Sequence, residues 1–590
     1  MRKELFSISN ITVIAFLGLT STSITSCRSN DTEGNLIKGG IASVKVNLTG
    51  TDFAASTGNS GAQASVKSIP RANDNTVKRH GVLVTPSFIV ETELIPAGTT
   101  GSSNDSAQAN LKSSGVNATA SNGNTAIAAI AGDPLGAGMM YRVIAYRQSD
   151  GSYQDYKDYT IGQPAEGLTL DAGETYDLIA YSKGNNTLPA ISSGELDNIN
   201  NATLNTLWEP FLYQKQTFTP TNGNNTINMV LRHKEAAITT VITSYIGGIS
   251  NIALPLLSPY YKTASVSLKN NGLLTATDNN GPNQSVEPAF PSGTSAVKTS
   301  DPIRFIPYPA GIMGSFSADI TIGGTTKTIT LNNFFTAKAE TQSTLNINLR
   351  TCGAYTAPGV YTEFMCQNLG ATAAAANAFD PIAGNHGLKV QWGRNTTGTN
   401  GTYYYTQASD QANSGTISGW SQTNAANKAW NSGTETNPVK TSNDPCPSGY
   451  RVPTRTEWQG VVDYYMTTNP TLKEKIGTFT ASNTNYGSGW YLKNAAGVRT
   501  LFLPAAAYRN FPDGTLGNRG ADGYYWTSTE DSTNSYGFGF DGTKLQTSAT
   551  GAPRTYGFSV RCIKDNTAAN VNGGNTSWQS SGNINLTTTY

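Results

Sequence analysis

Met139-Met-Tyr-Arg-Val-Ile-Ala-Tyr-Arg147 and Leu168-Thr-Leu-Asp-Ala-Gly-Glu-Thr-Tyr-Asp-Leu-Ile-Ala-Tyr-Ser182 are the segments on which the fold class turns. Both alternate large apolar side chains at the period of a strand rather than a helix. Asp171–Thr175, with a glycine at its centre, reads as the turn into Tyr176–Tyr181. Upstream, Val44–Phe53 (VKVNLTGTDF) alternates and predicts an edge-compatible strand, and Gly81–Leu94 predicts more strand. Downstream the pattern continues through Thr226–Leu231, Ala236–Ser244, Thr263–Leu268 and Pro302–Pro307, then Ser315–Ile322, Lys327–Leu331 and Thr344–Leu349. Short strands separated by Gly, Asn and Ser turns argue for β-sandwiches rather than βαβ units. Residues 54–80 and 98–131 are Ser, Gly, Ala and Asn-rich and read as loops. A helical period is confined to Asn198–Leu207, Gln422–Trp430 and Thr456–Met466. At the start of the last of these, Thr454 just ahead of it and Glu457 have the spacing of a capping box.

The N-terminus has a different grammar. Arg2 and Lys3 precede an apolar run, Ile11–Leu19, and then Ile24-Thr-Ser-Cys27. That run is too short to span a bilayer, which takes roughly 20 apolar residues, and its flanks are those of an export signal. The final four residues resemble a bacterial lipobox. The resemblance implies acylation of Cys27, anchorage in a lipid bilayer and an outer-membrane or cell-surface location. Residues 1–27 are then signal and lipobox, and 28–43 a polar tether.

Composition narrows the function. Charged residues make up 13% of the chain and the formal net charge is +1, so no field is present to attract nucleic acid. Five cysteines less Cys27 leave four, an even number suited to an oxidising compartment. Among Cys352, Cys366, Cys446 and Cys562 three pairings exist, of which Cys352–Cys366 and Cys446–Cys562 are expected. These cysteines lack the close pairs of a structural zinc site, and no metal is expected on them.

The YRVIAYR strand, the LTLDAGETYDLIAYS segment and a strand close behind the lipobox resemble the fimbrillin-like lipoproteins of Bacteroidetes. The resemblance implies two β-sandwich domains, placed at 44–210 and 211–350. It also implies a shaft, anchor or tip role in surface pili. In that family an arginine-specific cut removes the strand nearest the lipid, and a neighbouring pilin donates a replacement. Arg71 and Arg79 are the candidate processing sites by position.

The last third carries an ordered series. It runs from Cys366-Gln-Asn-Leu-Gly370 through His386–Arg394 and Cys446–Trp458 to Phe502–Asn510, Gly523–Glu530 and Tyr556–Ile563. The series is similar to the Fibrobacter succinogenes major domain, covering 351–565. This implies an α+β domain related to C-type-lectin-like folds and leaves its biochemical role open. Residues 566–590 are a polar tail, either loose or able to give a pilus partner its docking strand through Ile584–Thr589. The expected architecture is therefore mainly β, with two sandwiches followed by an α+β lectin-like domain.

No catalytic constellation emerges. The histidines His80, His233 and His386 share no motif and read as surface or turn residues, and no enzyme is predicted. Calcium, which takes roughly six to eight oxygens, is weighed on Asp513, Asn518, Asp522, Glu530 and Asp531 and not favoured, so no cofactor is expected. Tyr508, Arg509, Asp513, Arg519, Asp522 and Tyr524 gather aromatic, cationic and acidic groups and are the candidate ligand-binding residues. The expected function is a pilus component or adhesin whose C-terminal domain recognises a host protein or glycan. The alternative is a non-polymerising glycan-binding or scaffold lipoprotein.

Overall fold

The computed structural model describes residues 39–53, 78–97, 135–207, 210–277, 284–307, 312–372, 378–565, 578 and 582–587. Cys27 and Arg71 lie outside the described residues. Strand makes up 47% of the chain and helix 6%, so the protein is mainly β. No helix among the described residues is long and apolar enough to cross a membrane.

The first half opens with β1 (Ile41–Asp52), β2 (Lys78–Thr85), β3 (Phe88–Pro96), β4 (Met140–Arg147) and β5 (Tyr153–Thr160). Next come β6 (Leu168–Asp171), β7 (Tyr176–Ser182), β8 (Thr203–Leu207), β9 (Leu212–Phe218) and β10 (Gly223–His233). The following strands are β11 (Ala236–Ser244), β12 (Ile249–Ser258), β13 (Thr263–Ser267), β14 (Leu273–Ala276) and β15 (Val297–Thr299). The set closes with β16 (Ile303–Phe305), β17 (Gly314–Ile322), β18 (Thr325–Phe335) and β19 (Gln342–Thr351).

A seven-stranded sheet has the order β5-β4-β7-β9-β10-β1-β6. Its alternation feeds two cores. Val143, Ala145 and Leu178 join one apolar cluster, while Ile144, Tyr146, Ile179 and Tyr181 join the other. Burial on both faces explains why β4 reads almost wholly apolar.

β1, read as edge-compatible from its alternation, is an interior strand. It runs parallel to β10 and antiparallel to β6. Ala42, Val44, Val46 and Leu48 are buried, and their polar neighbours face outward.

The second large sheet has the order β15-β11-β19-β3-β2, with β16 also on β11. Strand pairing therefore runs across the 210/211 boundary expected from the sequence. β3 pairs with β19, and β8 pairs with β13. The physical reason is that a strand joins whichever open edge lets it bury its apolar face, and that edge can lie far along the chain.

Two helical expectations are replaced. Residues 198–202 form turns that lead into β8, and 422–430 contain no helix. In both places side chain–backbone hydrogen bonds within Asn, Ser and Thr-rich sequence compete with the helix, as Asn198 Oδ1 does by accepting from Asn200 N at 3.0 Å.

Of the tail, residues 578 and 582–587 are described. Ile584–Thr587 adds in parallel to β18 at the edge of a four-stranded sheet. Just before it, Trp578 is fully buried, edge-on to Phe88, with its indole N–H donating to Thr325 O at 3.0 Å.

β19 leads directly into the C-terminal domain. The Cys352–Cys366 disulfide marks that junction, where Cys352 N and Cys366 N donate to Ser87 O and Pro86 O. Short sheets there surround α1 (Gln407–Ala412) and α2 (Arg455–Val462). Thr454 and Glu457 form the complete capping box. Trp458 is fully buried and stacks on Phe538 at 4.1 Å. Trp526 is buried too, and its N–H donates to Val390 O at 2.8 Å. The Cys446–Cys562 disulfide closes a separation of 116 residues.

Candidate recognition face

The surface of interest grows from a hairpin. Tyr508–Arg509 pairs with Leu516–Gly517, and Asp513 makes the turn by accepting from Thr515 N at 3.0 Å. Tyr508 lies over the returning strand. A Cβ on Gly517 would stand 2.6 Å from the Tyr508 ring, so only glycine admits that approach. The Tyr508 ring meets Tyr524 edge-on at 5.1 Å and Tyr556 at 5.6 Å, while Phe511 meets Tyr556 at 5.2 Å. Such edge-to-face contacts hold rings in set directions. Beneath them Phe558 and Trp526 stack at 4.1 Å in the core. Phe511 is 40% exposed, and Tyr508, Tyr524 and Tyr556 are half-buried. The result is a contiguous aromatic face with a polar border.

Of the six candidate ligand-binding residues, the structure brings Tyr508 and Tyr524 into this face. Asp513 and Asp522 sit at its border as turn formers. Asp522 accepts from Asn518 Nδ2 at 2.7 Å, and burial raises its carboxyl above the usual range. Burial, reinforced by Asp522, also pushes the Tyr524 phenol up to about 12, so it stays a neutral donor.

Arg509 and Arg519 do not belong to the face. Both are buried behind it against Asp410 of α1. Arg509 Nε donates to Asp410 Oδ1 at 2.7 Å, and its remaining N–H groups reach the carbonyls of Asp410, Asn413, Gly415 and Gly514. Arg519 donates to Asp410 Oδ2 at 2.5 Å, to Asn483 O and to the Tyr486 hydroxyl. A guanidinium with this many acceptors is solvated by the protein and not by a ligand. The two arginines thus fix the hairpin from its inner side.

Sequence reasoning missed the centre of this cluster. Asp410 is fully buried with Lys389 Nζ 3.8 Å away. Burial opposes its ionisation, but Lys389, Arg509 and Arg519 together hold the carboxyl below its usual range. Lys389 Nζ makes no hydrogen bond among the described residues, and burial lowers it to about 8. No local signal marks Asp410, since its partners lie 99 and 109 residues away.

The histidine expectation is corrected as well. His386 is buried, its Nε2 lies 3.2 Å from Tyr486 O, and burial followed by Lys389 lowers it to about 3. His233 is buried against Glu235 at 2.6 Å and stacks on Phe53 at 4.3 Å, just beyond β1. Apolar packing on each ring outweighs hydration of the imidazole.

The oxygen donors considered for calcium are dispersed. Glu530 accepts from Lys428 N, Asp531 from Gly551 N, and Asp522 from Asn518. Among the described residues no group of three His, Cys, Asp or Glu side chains is placed to hold a metal.

The processing candidates separate. Arg79 lies in β2, paired with Glu93 of β3, so a protease would have to peel that strand to engage it. β1 upstream is held at its end by Phe53, over which Arg304 also lies at 5.7 Å.

Residues 365–564 match the Fibrobacter succinogenes major domain. No curated protein matches the chain. Solved structures with similarity include a candidate cell adhesion protein from Bacteroides fragilis, at 11% identity and a TM-score of 0.28, covering 52% of this chain and 92% of that one. Another, from Bacteroides uniformis, has 13% identity and a TM-score of 0.24 over 37% of this chain and 92% of that one. The fimbrial anchor protein Mfa2 from Porphyromonas gingivalis has 12% identity and a TM-score of 0.23, with 32% and 73% covered.

Proposed function

We propose that this chain is a lipid-anchored bacterial surface protein. In this reading it acts by non-catalytic recognition, with the C-terminal domain as its presented head and the strand-rich half as a pilus-type body. The observation that carries the reading is the aromatic face of Tyr508, Phe511, Tyr524 and Tyr556, held rigid from behind by Arg509, Arg519 and Asp410. Rigid aromatics with a polar border are the usual anchors of protein and glycan recognition. Phe511 is exposed, so Phe511→Ala should leave the unfolding midpoint unchanged. It should weaken attachment to a host-protein or glycan array by about tenfold, the scale of an interface anchor. Equal attachment by the variant would defeat the assignment.

The body has two readings in this proposal. With β1 in place its sheet is complete, which suits an anchor or a solitary lipoprotein. Cleavage after Arg71 or Arg79 would free β1 and open the slot between β10 and β6 to a strand from another subunit. Intact-mass and N-terminal analysis of protein from the native surface separates them. A start at acylated Cys27 supports the first, and a start after either arginine within a high-mass assembly supports the second.

A further inference from the structure

A cleft of about 510 Å³ opens in the strand-rich half, far in sequence from the aromatic face. Its wall is formed by β9 and the end of β10, and its rim by the β13–β14 turn and the turn at 339–340. The frame is rigid. Tyr213 is buried, its hydroxyl donates to Leu268 O at 2.6 Å, and Gly272 of the turn lies against its ring. Lys234 sits 5.6 Å from the centre of the same ring and is paired with Glu340.

The charge of the cleft is unbalanced. Lys215, Arg232 and Lys234 line it, against Glu340 as its one carboxylate. Lys215 leans toward Asp177 at 3.7 Å, outside the lining. Arg232 is exposed and has no ion pair among the described residues. In the same lining, the side-chain amides of Asn270 and Asn271 are exposed and make no side-chain hydrogen bond among the described residues. The cleft therefore offers the unpaired guanidinium of Arg232 together with free neutral donors and acceptors.

We propose that this cleft binds a carboxylated monosaccharide unit, a sugar acid. Its carboxylate would meet Arg232 and Lys215, and its hydroxyls the asparagine amides. A guanidinium matches a carboxylate in a two-point contact, and neutral amides suit hydroxyls. The volume falls within the range of small-molecule sites and exceeds what a bare inorganic anion requires. The site is independent of the head domain and stands or falls apart from its role.

Calorimetric titration of the mature full-length protein with D-glucuronate, N-acetylneuraminate, D-glucose and inorganic phosphate tests the assignment. Saturable binding of a sugar acid is expected, with D-glucose at least about tenfold weaker because it lacks the charge-assisted contact. Arg232→Gln should weaken sugar-acid binding by about tenfold or more without shifting the unfolding midpoint, and Asn270→Ala should weaken it less. The assignment is overturned if neither sugar acid binds, if D-glucose or phosphate binds as tightly, or if Arg232→Gln binds like the parent.

Discussion

Asp410 is the single carboxylate amid three buried cations, Lys389, Arg509 and Arg519. Asp410→Asn leaves two guanidiniums without their counter-charge and should cost about 3–5 kcal/mol, measurable by denaturant unfolding. Lys389→Met should have the opposite character, neutral or up to about 2 kcal/mol stabilising, because Nζ has no hydrogen bond to lose. His386 adds a pH dependence. The unfolded chain takes up its proton near 6.5, while the folded one resists until about 3. The unfolded state therefore binds more protons in that window, and stability falls as pH drops through it. His386→Gln should flatten this loss, seen as a parent-minus-variant difference in urea midpoint that shrinks between pH 6.5 and 3. At this scale the sequence was half legible. Tyr508 and Tyr524 could be read as a surface pair, because aromatics near turns are exposed often enough to notice. Arg509 and Arg519 could not be read as struts, because their acceptors come from α1 and from loops elsewhere in the domain.

Helix α2 shows an element whose start is local and whose packing is not. Thr454→Ala removes the cap and should cost about 1 kcal/mol. Gly460→Ala should cost more, about 1–3 kcal/mol, because its Cβ would stand 1.9 Å from Thr356 O and force the helix off its neighbour. Thermal unfolding of the two variants ranks them, and a milder effect at Gly460 would refute the close approach. The capping box was visible as a four-residue spacing. The close approach was not, since a glycine in a helical pattern gives no address for the backbone it meets. The strands divide the same way. Ala236–Ser244 was read to its exact ends, yet β1, read only as an edge-compatible strand, is flanked on both sides by β10 and β6.

Across the whole molecule, Trp578 and the strand Ile584–Thr587 bind the tail back to the body. Removing residues 566–590 should uncover the edge of β18 and the site of Trp578. Unpaired edges invite association, so light scattering should report oligomers for the truncated chain and a monomer for the parent. Trp578→Ala, which keeps the tail strand, should lower stability by about 3–5 kcal/mol. An unchanged midpoint would mean that the indole contributes little to the core.

Strand character, turns, the capping box and the even cysteine set were determined by the sequence alone. Each depends on residues within a few positions, where side-chain period and backbone preference act directly. Pairing was decided only by tertiary structure. Asn47 of β1 finds Asn228 of β10 across 181 residues, and no local pattern distinguishes that partner from another strand of similar alternation. The burial of Arg509, Arg519 and His386 was decided there too. The cost of withdrawing a polar group from water is set by the acceptors that folding brings to it, and those come from distant parts of the chain.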